Sequence, residues 1–159
     1  MSKEFKAYYY SPIGILEMIG TKKGISSILF CEEEEKRSQD ESLPSVMLEC
    51  FQQFDEYFNG NRKDFTFPYT IHGTPFQQLV WNQLTYIPYG KTSTYKDISE
   101  KIGNVKALRA VGNANGKNKL SIVIPCHRII GSNGTLTGYA GGLWRKEWLL
   151  KHEKSINFV

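Results

Sequence analysis

The chain has no apolar run of about 20 residues, the length a membrane-crossing helix requires. Cysteine is scarce. Cys31, Cys50 and Cys126 are few, odd in number and far apart, which speaks against a disulfide framework and a cysteine-rich zinc site, and leaves at least one thiol free. The stretch from Met1 to Tyr10 mixes Lys3, Glu4 and Lys6 with aromatics and lacks an apolar segment ahead of a small-residue cleavage site. It does not read as a secretory signal, and a cytoplasmic location is expected. Acidic residues are nearly missing from the second half. Residues 73–159 hold 4 Asp+Glu against 12 Lys+Arg, whereas residues 1–72 hold 12 against 8, so the halves carry +8 and −4 and sum to the net +4. An excess of that size attracts phosphates and points toward nucleic acid, although a basic surface that only aids solubility has the same composition. No internal repeat is present. At 159 residues, 40% hydrophobic and 23% charged, the chain has room for one large domain or two small ones, and global disorder is excluded.

The first half reads as a small antiparallel meander: Phe5 to Tyr10, Ile15 to Gly20 and Ile25 to Phe30, joined by turns at Ser11-Pro12-Ile13-Gly14 and Thr21-Lys22-Lys23-Gly24. Glu32 to Ser42 is polar and suits a solvated loop or helix face. From Pro44 to Phe58, Met47, Phe51, Phe54 and Phe58 recur at helical spacing and predict an apolar stripe covering the sheet, ended by Asn59-Gly60. Asn61 to Gly73 reads as the connection between domains 1–72 and 73–159. Thr74-Pro75 then starts a helix with Phe76, Leu79, Val80 and Leu84 inward. Thr94 and Asp97 form a capping pair for a short helix carrying Ile98 and Ile102, and a third helix is expected from Val105 to about Ala114. Three compact helices suggest a helix-turn-helix, a pattern that many proteins without DNA also use. Charge favours DNA here: Lys91, Lys96, Lys101, Lys106, Arg109, Lys117 and Lys119 face only Asp97 and Glu100. Ala110, Gly112, Ala114 and Gly116 leave that last helix with little bulk, suited either to close approach of a duplex or to helix packing. Ser121 to Ile124 reads as a buried strand, Ile129 to Gly142 as a glycine-rich hairpin or loop turning at Asn133-Gly134, and Leu143 to His152 as a final helix with Trp144 and Trp148 on one side.

Cysteine attacks as the thiolate, so Cys126 needs a base or a cationic neighbour. His127 follows it directly, but neighbours on a strand point to opposite faces, and contact requires a turn or a bridging water. Pro125 permits that turn. A histidine base also needs an acceptor on its second ring nitrogen, and the basic half offers Asp97, Glu100, Glu147 and Glu153. A buried structural Cys-His pair and a structural salt bridge at Arg128 fit the same letters.

Ile124-Pro125-Cys126-His127-Arg128 resembles the active-site signature of the O6-alkylguanine-DNA alkyltransferases. Gly73-Thr74-Pro75-Phe76-Gln77-Gln78, Ile87-Pro88-Tyr89-Gly90-Lys91-Thr92, Arg109-Ala110-Val111-Gly112, Gly138-Tyr139, Gly141-Gly142 and Lys146-Glu147-Trp148-Leu149-Leu150 continue it in order, from Gly73 to Glu153. The chain is most similar to the small bacterial-type members. The resemblance implies an α/β (α+β) fold, with a ribonuclease H-like N-terminal domain of small antiparallel sheet and helix. A winged helix-turn-helix-like C-terminal domain would bind DNA and carry the active site. It implies irreversible, single-turnover transfer of an alkyl group from O6-alkylguanine in duplex DNA to Cys126, with O4-alkylthymine as a further candidate substrate. His127 would be the base through a water, Glu153 its orienting acid, and Asn118 the organiser of backbone and water. Tyr95, Arg109, Ala110, Gly112, Asn113, Asn115 and Arg128 would contact DNA. Arg109 would fill the stack vacated by the flipped base, with Tyr95 crowding the 3′ phosphate. Tyr139, Ala140 and Tyr95 would wall the guanine pocket. No cofactor or metal is implied, and a monomer is expected.

The chain departs from the family pattern at Ala140, where many relatives carry a serine, and at Asn115 and Gly116, where some carry bulkier or charged groups. Cys31, Cys50 and His72 do not reproduce the zinc ligands of larger members, and there is no second, phosphotriester-accepting cysteine motif. Three other readings compete: a non-catalytic binder of alkylated DNA, in whose relatives a tryptophan replaces the acceptor cysteine; a winged-helix regulator; and a Cys-His hydrolase.

Overall fold

The computed structural model describes residues 3–36 and 39–154. Two compact units span residues 1–71 and 72–159. In the first, strands β1 (Phe5–Ser11), β2 (Gly14–Thr21) and β3 (Gly24–Cys31) form an antiparallel meander in the order β1-β2-β3. Ser11 pairs with Gly14 and Thr21 with Gly24, so two-residue loops close both hairpins. Pro68 and Thr70 bond to both backbone groups of Ile25, at 3.0 and 2.8 Å, so part of the expected connection lies along the β3 edge. Glu33–Glu35 form one exposed 3-10 turn; the polar stretch after it includes residues 37 and 38, outside the described residues.

Helix α1 (Ser45–Phe58) covers the sheet. Its buried face is Val46, Met47, Cys50, Gln53, Phe54 and Tyr57. The expected stripe is therefore corrected at two places: Phe51 and Phe58 are only half-buried and pack their rings on Tyr9 at the margin. The true stripe turns toward Cys50 and Tyr57, because these lie on the same side as Phe54 and Met47 at three- and four-residue spacing.

The second unit is built on three helices, α2 (Pro75–Leu84), α3 (Tyr95–Lys101) and α4 (Leu108–Gly116), which pack against one another. Thr74 caps α2 reciprocally with Gln77 and Pro75 occupies its first turn. Val80, Trp81 and Leu84 are buried, Phe76 is half-buried, and Leu79 is exposed, contrary to expectation. Trp81 shifts the inward face, since its indole N–H donates to the Ala114 carbonyl at 2.8 Å and locks α2 to α4. Thr94 caps α3 by accepting from Asp97 N, whereas the Asp97 carboxylate takes the Ser93 hydroxyl at 3.5 Å. Helix α4 begins three residues later than expected, because Val105 and Lys106 form a turn first. A two-residue parallel pair joins β4 (Ser93–Thr94) to β5 (Ile129–Ile130), and α5 (Leu143–His152) follows the glycine-rich segment. Trp144 and Trp148 share one side of α5, but it is the outer side; Lys146, Leu149 and Leu150 face inward.

Candidate active site

Ser121–Ile124 is not the strand that four apolar and small letters suggested. Asn118 folds it into a turn: its side-chain carbonyl accepts from Leu120 N at 2.9 Å, and its amide nitrogen lies 2.7 Å from the Ile124 carbonyl and 3.3 Å from that of Leu120. Ile124 N closes the turn on Leu120 O at 3.0 Å. Ile122 consequently sits at φ 73°, a left-handed conformation that a β-branched residue adopts only when its surroundings impose it. Pro125, at φ −80° and ψ 64°, makes an inverse γ-turn in which Cys126 N donates to Ile124 O at 2.7 Å. Cys126–Arg128 then coil into one 3-10 turn. A strand would have sent Cys126 and His127 to opposite faces; the coil removes that constraint.

The three side chains of this turn are buried. His127 Nε2 and Glu153 Oε2 are 2.8 Å apart. Arg128 holds the same carboxylate through Nε to Oε1 at 2.8 Å and Nη2 to Oε2 at 3.1 Å, and its Nη1 donates to Ile87 O at 2.7 Å. Although burial opposes charge on Glu153, His127 and Arg128 outweigh it and hold the carboxyl well below the usual carboxylate range. Burial pushes the His127 imidazole down from its ordinary 6.5, with Glu153 opposing the shift. A neutral ring donating from Nε2 to an ionised Glu153 satisfies both. The Nδ1 lone pair is then an acceptor, and it has no hydrogen-bond partner among the described residues.

Cys126 is nearly sealed, and burial raises its thiol above 9.0; the Asn118 amide at 3.3 Å, the Lys146 ammonium and a backbone N–H act in the opposite direction. Cys50 offers a contrast. It is buried against Met18, and burial and then Glu49 both raise its thiol, with nothing to favour a thiolate. Lys146 is the functional side chain that residue patterns missed. It is fully buried on α5, donates to Thr137 O at 2.9 Å, and is pushed down to about 8 by burial, with Cys126 opposing. Its signal was present: Lys146, Leu149, Leu150 and Glu153 occupy the spacing of a buried helical stripe, where two charged residues require partners.

Of the residues expected on DNA, Arg109, Ala110 and Asn113 are exposed on α4 and Gly112 is half-exposed. Tyr95, Lys96, Leu108, Arg109, Gly112 and Ser132 line a cleft of about 420 Å³. A Cβ on Gly112 would stand 3.7 Å from the Tyr95 ring, and the Tyr95 hydroxyl is 2.8 Å from Thr137 Oγ1. Ala140 is exposed and Tyr139 half-buried in the segment before α5. Two expected DNA contacts are corrected. Arg128 is committed to Glu153 and Ile87 inside the fold, and Asn115 is buried with its amide nitrogen 3.3 Å from Cys126 O. Lys91, Lys96, Lys101, Lys106, Arg109, Lys117 and Lys119 are all exposed. Among the described residues no group of three or more His, Cys, Asp or Glu is placed to hold a metal ion, and no helix is long and apolar enough to cross a membrane.

Residues 5–71 match the family model described as the ribonuclease-like domain of 6-O-methylguanine DNA methyltransferase, and residues 75–155 match that of its DNA-binding domain. A methylated-DNA–protein-cysteine methyltransferase of Methanosarcina acetivorans is 44% identical over 95% of this chain and 99% of its own length. The crystal structure of Mycobacterium tuberculosis O6-methylguanine methyltransferase superposes with a TM-score of 0.84 at 38% identity, covering 96% of this chain and 94% of that one. A structure of the Mycobacterium tuberculosis OGT in complex with DNA also gives 0.84, at 41% identity, over 93% and 91% of the two chains. With both halves matched in order and the reactive turn built around a partnered thiol, the chain belongs to the 6-O-methylguanine DNA methyltransferase family.

Proposed function

We infer that this chain repairs duplex DNA by moving the alkyl group of O6-alkylguanine onto its own Cys126, once per molecule. The observation that carries this reading is the setting of the thiol: Asn118 and Lys146 favour its ionised form, and the next residue in the turn carries a neutral imidazole held by Glu153 with an open Nδ1. His127 takes the thiol proton through a water. The sulfur lone pair forms the S–C bond, the C–O6 electron pair stays with the base, and the proton passes from His127 to that base. Neutral guanine and a stable thioether remain. No step calls for a cofactor, and the thioether has no route back to a thiol.

A buried sulfur cannot reach a stacked base in line, so the nucleotide leaves the helix, which costs a few kcal/mol. The bare, exposed face of α4 at Ala110, Gly112 and Asn113 suits close approach to a minor groove, with Arg109 filling the vacated stack and Tyr95 pressing the flanking phosphate. Tyr139 and Ala140 belong to the wall of the base pocket, which lacks a serine hydroxyl at position 140. We assign the two units separate roles, with residues 73–159 binding DNA and carrying the chemistry, and residues 1–72 forming the N-terminal α/β domain. The protein works in the cytoplasm as a monomer.

Incubation with duplex DNA containing O6-methylguanine tests the reading. One methyl group on Cys126, one repaired base per protein and no further turnover are expected. Cys126→Ala should abolish transfer and keep DNA affinity. An unchanged intact mass of folded wild-type protein would falsify the transferase reading, and repeated turnover would favour a hydrolase.

A further inference from the structure

Residues 1–72 are acidic overall, at −4, yet three of their 8 Lys+Arg meet at one end of the sheet. Phe5 opens β1 and pairs with Gly20 near the end of β2, which brings Lys3 beside the β2–β3 turn, where Lys22 and Lys23 stand between the paired Thr21 and Gly24. Lys3, Phe5, Lys22 and Lys23 together line a cavity of about 270 Å³. Phe5 is buried as one wall, and the Lys3 ammonium lies over its ring, 4.9 Å from the centroid. No carboxylate lines the cavity, although this half of the chain has 12 of them. None of the three lysines forms an ion pair among the described residues.

The turn does not need these lysines. Two-residue hairpin loops favour Asn, Asp and Gly, which accept positive φ, whereas Lys22 and Lys23 have no such preference and neither has a positive φ. Thr21 holds the loop instead, its Oγ1 accepting from Lys23 N at 3.1 Å. The two ammonium groups are therefore left to face the cavity's third cation, a repulsion that an anion between them relieves. The volume falls just under the range of about 300–1,000 Å³ that holds drug-sized molecules, so the occupant is a compact group. A single phosphate, at about −1.5 to −2, leaves part of three positive charges unmatched, and a diphosphate matches them better. We propose that this cavity is an anion site for the diphosphate group of a small phosphorylated ligand, a site that alkyl transfer does not use. A DNA duplex fits it less well, because the net −4 of this half opposes the approach of a long polyanion.

Titration of the 15N-labelled full chain, followed by amide NMR shifts, tests the site with two probes: pyrophosphate and a short undamaged duplex. Pyrophosphate should move the amides of Phe5, Lys22 and Lys23 saturably. The double variant Lys22→Gln/Lys23→Gln should bind it about 10-fold more weakly. Lys63→Gln, which removes a cation of the same unit outside the cavity, should keep the wild-type affinity. Methyl transfer from free O6-methylguanine should be unchanged in the double variant, so the site stands or falls separately from the transferase reading. Pyrophosphate shifts that do not saturate, that miss these three amides, or that weaken equally in Lys63→Gln would overturn the proposal. Shifts there with the duplex but not with pyrophosphate would also overturn it and make the cavity a contact for nucleic acid. If the double variant does not fold, the wild-type shift pattern and Lys63→Gln decide.

Discussion

At Lys146 a cation is held inside the protein by one backbone carbonyl and the neighbourhood of a thiol. Its folded pKa, about 8, lies below the ordinary 10.5, so between those values the unfolded chain binds more protons. Stability from this group therefore rises as pH climbs from 8 to 10.5, and at neutral pH its burial is unfavourable. Lys146→Met should consequently raise the Tm at pH 7 or leave it unchanged, yet slow methyl transfer about 10-fold, because the Cys126 thiolate loses its nearest stabilising charge. The pH profile of Cys126 alkylation by iodoacetamide would shift upward in the variant. A profile identical to wild type would remove Lys146 from the site. Much of this chemistry was legible at residue scale. Cys126 and His127 announced themselves as adjacent letters, and the resemblance picked Glu153 from four acids; the structure joins Glu153 to His127. Arg128 and Asn115 were misassigned because a sequence shows that a residue is polar but not which way the local turn points it.

The elements divide along the same line. Helices α2 and α3 could be read because their caps are local: Thr74 with Gln77, and Thr94 with Asp97 N, lie within one turn of chain. The segment 121–124 could not. Its letters match a strand, but its backbone is satisfied by a side chain from outside the window, that of Asn118. Periodicity has no access to such a bond. Asn118→Ala should therefore loosen the whole turn, since Leu120 N and Ile124 O lose their partner in a site closed to water and Ile122 has less to hold its left-handed conformation. A loss of about 2 kcal/mol in urea unfolding is expected. Transfer should fall by a larger factor than this stability change explains at temperatures where the variant is folded, because the same amide bonds the sulfur. A variant that is destabilised but transfers at the wild-type rate would restrict Asn118 to scaffolding.

Over the whole molecule the two halves of the chain carry opposite charge, and the +8 half contains the reactive turn. The buried charges there are matched locally: Arg128 with Glu153, and Lys146 with the Thr137 carbonyl. None of the seven exposed cations between Lys91 and Lys119 forms an ion pair with a carboxylate among the described residues. They are therefore available to displace counterions from a phosphate backbone, and they lie outside the hydrogen-bonded chain that acts on the sulfur. Added salt should accordingly separate capture from chemistry. Affinity for duplex DNA should fall linearly in log–log form with a slope no steeper than about −6, the limit if all seven cations met phosphates. Methyl transfer from the free base O6-methylguanine, which has no phosphate, should change little over the same range. Both are measurable on one preparation, by fluorescence anisotropy of a labelled duplex and by intact mass of the protein. Loss of free-base transfer in parallel with duplex binding would mean that the exposed cations support the thiol itself, and the division between a salt-sensitive surface and a salt-insensitive interior would fail.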